Sequence, residues 1–571
     1  MYFNLMNKRM KKNIAMTALV LCILVASRTG SLAEDLSDKV RESIRQRIET
    51  ADMSKEDVQE TDLQLRSTPL AEFYHKTEYY PVWSDENEIS PLAESLLDIL
   101  NKSGCEGLRP EDYRTESIRR MLFEFRMGRS RQIALDSAQL AEFDMLLTDA
   151  MLQYASHLID GRINHQVVYP GWVVQKEPFD LTSYLLDAVE SGEVEKALAD
   201  LLPKYPGYAK LKEALGRYQR LAESENWSII PYGPKMMKGA SDQRVPMLRH
   251  KLFALRDLTS AAEKGDNFFD GALEAAIIRF QKGHGLKADG RVGPLTLDAL
   301  NVPLKKRIKQ IALNMERLRW LSGTSWERYI MVNITDFSLQ LIDNGQVAMN
   351  MKIIVGKTEQ SSCILSRKMP YLELNPYWRI PDSIATKEIL PKLRKNPGYL
   401  AANRVRVFSR WEDSMKEVDP RKINWSRIKA EELGYKFRQE PGPLNPLGRI
   451  KFIFPNECEI YLHDTPKRYL FGKSRRDFSH GCIRIEKPIE LAAYLLKGRE
   501  SWTRTKIMAE IGKEKRQVVT LPDPIDVHII YGTVWVDRDG NLQFRNDIYR
   551  VDQVPYELTS CESHHGEDKD L

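Results

Sequence analysis

Cysteine is scarce in this chain: six in 571 residues, at Cys22, Cys105, Cys363, Cys458, Cys482 and Cys561. That density excludes a small fold stapled together by disulfides. A strong charge of one sign is also missing. Lys and Arg number 85 against 80 Asp and Glu, a net charge of +5, which gives no reason to invoke nucleic acid, and no nucleic-acid-binding motif is present. Beyond the first thirty residues no apolar run approaches the roughly 20 residues of a membrane span, which excludes a polytopic membrane protein. A His-Glu-x-x-His helix is absent, and with it the usual paired ligands of a zinc peptidase. What is present is an ordinary globular mixture, 42% apolar and 29% charged, long enough for three or so domains at about 100–200 residues each.

The N-terminus carries Lys8, Arg9, Lys11 and Lys12, then the apolar run Ile14 to Ala26, then Ser31-Leu32-Ala33. This order reads as a secretory signal over residues 1–33; an uncleaved anchor in the inner membrane is the alternative. Bulky Leu21 ahead of Cys22 argues against a lipoprotein site. Loss of Cys22 with the signal leaves five cysteines, an odd number for an exported protein, so at least one thiol stands outside any disulfide scheme.

Residues 35–230 are expected to be mostly helical. Leu92, Leu96, Leu97 and Leu100, and again Leu140, Phe143, Leu147, Met151 and Tyr154, recur at the three- and four-residue spacing of one helix face. The aromatic cluster from Phe73-Tyr74 to Trp83 suits packing between those helices. Pro231, Gly233, Pro234 and Gly239 mark a linker. Within 240–303 follows a short unit with Phe280-Gln281, a glycine turn, Asp289-Gly290, then Gly293-Pro294 and Thr296. From Tyr329 the period becomes two. Ile330, Val332 and Ile334 alternate, Asn344-Gly345 is a hairpin turn, and Val347 to Ile353 resumes. A second pair runs through Val527-Ile529, Val534-Val536 and Leu542-Phe544. Between them, about 380–445, a polar stretch with helical pieces is too long for a loop and reads as an inserted helical lid. Residues 555–571 read as a disordered tail, where His564-His565 is a weak metal signal.

The most informative segment is Tyr461-Leu462-His463-Asp464, followed by Ser479-His480-Gly481-Cys482-Ile483-Arg484, with 15 residues between His463 and Ser479. A thiol is a modest nucleophile until it loses its proton. An imidazole in reach can take that proton and return it to a leaving group. Gly481 allows close backbone approach, and amide N–H groups at such a turn can hold an oxyanion. Alternation puts Tyr461 and His463 on one strand face.

These residues resemble the L,D-transpeptidase catalytic domain, whose signature is a histidine, about fifteen residues, then Ser/Thr-His-Gly-Cys. The unit at 240–303 resembles the three-helix peptidoglycan-binding domain, and the whole order resembles the long Gram-negative branch of the family. The resemblance implies a multidomain α+β chain: a helical N-terminal region, the small helical binding domain, and a mostly β catalytic domain over about 325–553. It implies Cys482 as nucleophile and His463 as base, with His480 and Gly481 in the same motif. Tyr461, Trp378, Ser479 and Arg484 are the implied substrate contacts; simple packing remains open for Tyr461 and Trp378, and Arg484 stands where some members have asparagine. A backbone carbonyl after the base, rather than the Asp464 carboxylate, would orient the imidazole. The implied reaction is 3→3 cross-linking of peptidoglycan tetrapeptide stems in the periplasm through a thioester, without cofactor or metal. Stem peptides and glycan are the implied partners, and carbapenem-class β-lactams the implied covalent inhibitors. Water, a D-amino acid or a lipoprotein lysine as acceptor, a zinc peptidase using His463, His480 and Cys482, and a non-catalytic wall-binding scaffold remain as alternatives.

Overall fold

The computed structural model describes residues 36–53, 68–84, 88–131, 136–164, 178–224, 227–259, 267–321, 325–409, 416–499 and 501–553. The expected signal at 1–33 and the tail at 555–571, with its His564-His565 pair, lie outside the described residues. Among the described residues no helix is long and apolar enough to cross a membrane. The chain divides into two units, one essentially of residues up to 163 plus 177–203, the other running from Lys204 to Pro555.

The N-terminal unit is helical, built around the long helix Ser137–Asp160. Asp136 caps that helix by accepting from the Ala138 N–H, as N-cap carboxylates do. Fifteen of the helix's residues are buried, so it forms the unit's centre rather than a surface stripe. Phe73, Tyr74 and Trp83 are fully buried against it. Asp144 of that helix accepts from the Tyr74 hydroxyl at 2.7 Å and the Trp83 N–H at 2.8 Å. The aromatic cluster is therefore core, pinned by one buried carboxylate.

In the second unit the helices Val245–Ala254, Gly271–Gly283 and Pro294–Leu300 enclose one small core. Gln281 explains the Phe-Gln and Asp-Gly pattern. Its buried amide donates to the Arg291 carbonyl at 2.8 Å and accepts from the Gly290 N–H at 3.0 Å, clamping the glycine turn onto the helix. The helix Tyr208–Ser224, grouped with the N-terminal region on sequence pattern, belongs to this second unit. Tyr208 accepts from Arg319 at 2.8 Å, and Leu211 and Leu215 are buried.

The catalytic-domain strands begin with β1 (Tyr329–Asn333), β2 (Ser338–Asp343), β3 (Gln346–Gly356) and β4 (Leu365–Leu374). Asn344 and Gly345 both have positive φ, the twist a two-residue hairpin between β2 and β3 requires. An insertion follows with β5 (Trp378–Ile380), β6 (Val405–Phe408), β7 (Glu417–Val418) and β8 (Lys436–Gln439). Then come β9 (Ile450–Ile453), β10 (Leu462–His463), β11 (Asp477–Ser479), β12 (Ile483–Ile485), β13 (Gln517–Ile530), β14 (Val534–Val536) and β15 (Leu542–Phe544).

Nine strands form one sheet in the order β11-β3-β12-β10-β9-β4-β13-β1-β2, and β3 also pairs with β2, so the sheet closes on itself. Closure removes the free edges an open sheet would expose. The insertion is not purely helical, as the sequence had suggested. It holds its own four-stranded sheet, β5-β8-β6-β7, packed with short helices around Leu390, Leu393, Trp425 and Phe437. Its strands are two to four residues long, too short for a period of two to register.

Cys363 and Cys458 are joined by a disulfide across 95 positions. Chain entropy assigns such a loop about 4–5 kcal/mol. Replacing both by alanine should lower the melting temperature of the C-terminal unit by several degrees in scanning calorimetry; an unchanged transition would contradict this.

Candidate active site

The β12-β10-β9-β4-β13 stretch of the sheet has two unlike faces. One cross-strand row is Ile483, Leu462, Phe452, Leu372 and Val519, all buried. The next row, displaced by one residue and therefore facing the other way, is Arg484, His463, Lys451 and Glu373. The apolar row rests on the core. The polar row and the residues two positions before it, Cys482 and Tyr461, share the opposite face. The Ile483 N–H donates to the Tyr461 carbonyl at 3.1 Å, continuing the β10–β12 ladder to that point. Cys482 thus lies across from Tyr461 and diagonal to His463. Strand spacing and rise put their Cα atoms about 8 Å apart on the same face, within side-chain reach of each other.

His463 is buried, and its Nδ1–H donates to the Asp464 backbone carbonyl at 2.6 Å. A carbonyl can only accept, so the neutral ring carries its proton on Nδ1 and its lone pair on Nε2. Burial, with Arg484 adding to it, lowers the imidazole to about 3. The Asp464 carboxylate faces elsewhere: it accepts from the Arg449 N–H at 2.9 Å and lies 3.4 Å from the Arg468 guanidinium. Gly448, at φ 63, approaches that carboxylate so closely that a Cβ would stand 2.3 Å from Oδ2. A side chain there would displace Asp464 and the histidine before it.

Cys482 is half-buried and outside any disulfide. Burial pushes its thiol above the ordinary value; the Tyr461 backbone N–H and hydroxyl, Lys451 and Arg484 all pull the other way. Both members of the pair are therefore neutral at rest, and the imidazole stands as a base rather than as half of an ion pair. Gly481 adopts φ 118, a backbone shape that disfavours any other residue. Its carbonyl accepts from Ser362 Oγ at 2.6 Å, beside the disulfide at Cys363. Its N–H donates to Ser479 Oγ at 3.2 Å, and that hydroxyl donates to the Cys482 carbonyl at 2.6 Å. Ser479 is buried and its hydroxyl closes the turn. With the Gly481 N–H occupied, the Cys482 N–H is the turn's amide with no protein acceptor among the described residues.

The other expected residues divide. Tyr461 reaches Cys482, and its ring stands 5.7 Å from that of His463. Arg484 is half-buried next to both, and its buried Nε has no hydrogen-bond partner. His480 has a partner in the insertion: Nε2 lies 2.9 Å from Glu388 Oε1 in the π-helical turn Ala385–Ile389. Trp378, on β5, packs on the insertion's own core. The zinc alternative would need His463, His480 and Cys482 on one ion. Among the described residues no group of three or more such donors could hold a metal. Sequence reasoning missed Lys451, Glu388 and Ser362. Only Lys451 left a trace, as the polar alternate in Ile450-Lys451-Phe452.

Comparison with known proteins bears on the chain's domains. Residues 327–508 match the model of the L,D-transpeptidase catalytic domain. Residues 241–300 match that of a "Putative peptidoglycan binding domain", and residues 68–215 match a "Scaffold domain". A curated protein of Haemophilus influenzae, "Putative L,D-transpeptidase", is 31% identical over 245 residues, 43% of this chain and 48% of that protein; the chain thus spans about half the length of this relative. Among solved structures, the Ldtfm–avibactam carbamoyl enzyme is 11% identical, covering 36% of this chain and 49% of its own, with a TM-score of 0.17. An L,D-transpeptidase from Xylanimonas cellulosilytica is 16% identical, covering 52% and 99%, with a TM-score of 0.15. Scores at that level carry no argument here. The chain therefore carries an L,D-transpeptidase catalytic domain preceded by a peptidoglycan-binding domain.

Proposed function

We propose that this chain, as a bearer of an L,D-transpeptidase catalytic domain, forms 3→3 cross-links between peptidoglycan tetrapeptide stems outside the cytoplasm, with Cys482 as nucleophile and His463 as base. The observation that carries the reading is the shared sheet face of Cys482, Tyr461 and His463, with His463 Nδ1 tied to the Asp464 carbonyl at 2.6 Å. With the proton on Nδ1, the lone pair that can accept another is on Nε2.

His463 Nε2 takes the Cys482 proton as Sγ attacks the carbonyl carbon of the third stem residue. The oxyanion meets the Cys482 N–H and the Tyr461 hydroxyl. Collapse breaks the amide bond; the imidazolium returns the proton to the departing D-alanine amine, leaving a thioester. The amine of a neighbouring stem then attacks the thioester carbon and gives up a proton through His463. The new amide forms and the thiol is restored. One amide is exchanged for another, so neither nucleotide nor metal enters the balance. Arg484 stands beside the reacting atoms as a cation for a stem carboxylate. Carbapenem-class β-lactams are read as acylating the same sulfur.

Purified full-length protein incubated with disaccharide tetrapeptides should yield a dimer whose mass is two monomers less one D-alanine. Tripeptide alone would make water the acceptor and refute cross-linking. No product and no acyl adduct would favour a wall-binding scaffold.

A further inference from the structure

We infer that Lys451 is a positioning residue for the acyl-transfer chemistry, acting through Tyr461 to stabilise the Cys482 thiolate as it forms. The inference rests on the reading of Cys482 as nucleophile.

Lys451 lies on β9 in register with His463 on one side and Glu373 on the other. Its ammonium does not pair with Glu373 across the ladder. Both Glu373 oxygens face Arg516, at 2.5 and 3.4 Å. Instead Nζ stands 3.7 Å from the centroid of the Tyr461 ring. The same tyrosine offers its hydroxyl and its backbone N–H to Cys482 Sγ. A cation over a phenol face draws electron density from the ring, so the O–H becomes a stronger donor to a neighbouring anion. The anion here is first a thiolate and then, one step later, an oxyanion. The path therefore runs from ammonium to ring to hydroxyl to sulfur.

Other charged groups around the lysine do not duplicate this. Glu373 favours its charged form, while Arg516 and Arg379 oppose it. Arg484 reaches the sulfur from β12, on the other side of His463. Burial lowers the proton affinity of Lys451 below the ordinary lysine value, but the Cys482 charge itself favours the ammonium. The two groups are thus mutually stabilising as thiolate and ammonium. A lysine merely filling space beside a tyrosine would not produce that coupling.

The test uses the full chain, with Lys451→Met and Lys451→Arg, each alone and on a Tyr461→Phe background. Two rates are read for Cys482, by peptide mapping: alkylation by iodoacetamide across pH, and acylation by a carbapenem at neutral pH. Lys451→Met should move the alkylation midpoint up by about one pH unit and slow acylation about tenfold, with an unchanged melting temperature. Lys451→Arg should restore most of both. On the Tyr461→Phe background the same methionine change should shift the midpoint by less than half as much. A Lys451→Met profile that overlays the parent would overturn the inference, as would equal shifts in both backgrounds. If Lys451→Met does not fold, the neutral Lys451→Gln takes its place on both backgrounds, with the same shift expected and the same result overturning the inference. Carbapenem acylation that persists in Cys482→Ala would instead sink the nucleophile assignment, a separate failure.

Discussion

Replacing Cys482 by alanine is expected to remove the acyl adduct entirely and to reduce cross-linking by at least about 10⁴-fold, because no covalent intermediate can form without the sulfur. The fold should survive. The side chain is half-buried, and deleting one sulfur costs about 1 kcal/mol. The turn's shape does not depend on it: Ser479 closes the loop through the Cys482 backbone carbonyl, and Ser362 holds the Gly481 carbonyl. Both bonds use main-chain atoms that alanine retains. Intact mass after carbapenem exposure is the direct reading, with the adduct mapped to a peptide. Cys105 supplies an internal control, since it is free and exposed on the helical unit. It should take iodoacetamide in parent and variant alike. It should not take the β-lactam if acylation requires the His463 base and the Cys482 turn. A β-lactam adduct of undiminished yield in the variant would remove Cys482 from the mechanism.

How much of this was visible in the chain itself depended on the range of the interactions involved. The hairpin at Asn344-Gly345 was legible because two adjacent residues set their own backbone. The His463 and Ser-His-Gly-Cys elements were legible because their residue types and the 15 residues between His463 and Ser479 match a family signature. The orienting carbonyl of Asp464 was expected from the same resemblance, and the His463 Nδ1 contact at 2.6 Å agrees with it. Lys451 was not. β9 spans four residues, Ile450–Ile453, and what makes its one lysine consequential is register against β10, which no local pattern encodes. The disulfide partner of Cys363 stood 95 positions away, where parity of the cysteine count reveals a leftover thiol but not a pairing. The partner of His480, Glu388 of the insertion, lies 92 positions earlier, beyond any local pattern. The two bonds by which the Ser479 hydroxyl closes the turn, to the Gly481 N–H and the Cys482 carbonyl, were not legible either, because they depend on the loop's folded shape. Helical periodicity found the helix Tyr208–Ser224 but could not assign its partner, since an amphipathic stripe does not name the surface that covers it.

Replacing His463 by alanine should slow acylation at neutral pH by about 10²–10⁴-fold, the usual worth of a positioned general base, and the size of the loss should depend on pH in a stated direction. In the parent, burial holds the imidazole at about 3. Its lone pair is then available at all higher pH values, so the acylation rate should stay level from neutral well into the acid range and fall only as pH approaches 3. The thiol is pushed above its ordinary value by burial, so in the variant the thiolate must form without help. Its rate should rise with pH, tenfold per unit, until the thiol itself titrates. The ratio of parent to variant therefore narrows as pH increases. An ion-paired thiolate and imidazolium would give the opposite picture, with a reactive sulfur across neutral pH and an acid limb set by a depressed thiol. The two cases separate in one experiment, the pH dependence of carbapenem acylation for parent and variant. A constant ratio from pH 5 to 9 would exclude proton abstraction by His463. Stability carries the same sign. A histidine lowered in the folded state favours folding at pH values above its unfolded value, and that contribution is lost as pH falls from about 6.5 toward 3. The variant lacks the buried imidazole, so its melting temperature should fall less than the parent's over that interval. The loss of stability between about 6.5 and 3 and the fall of activity near 3 would then trace to one side chain, and the alanine variant removes the first while replacing the level activity profile by one that rises with pH.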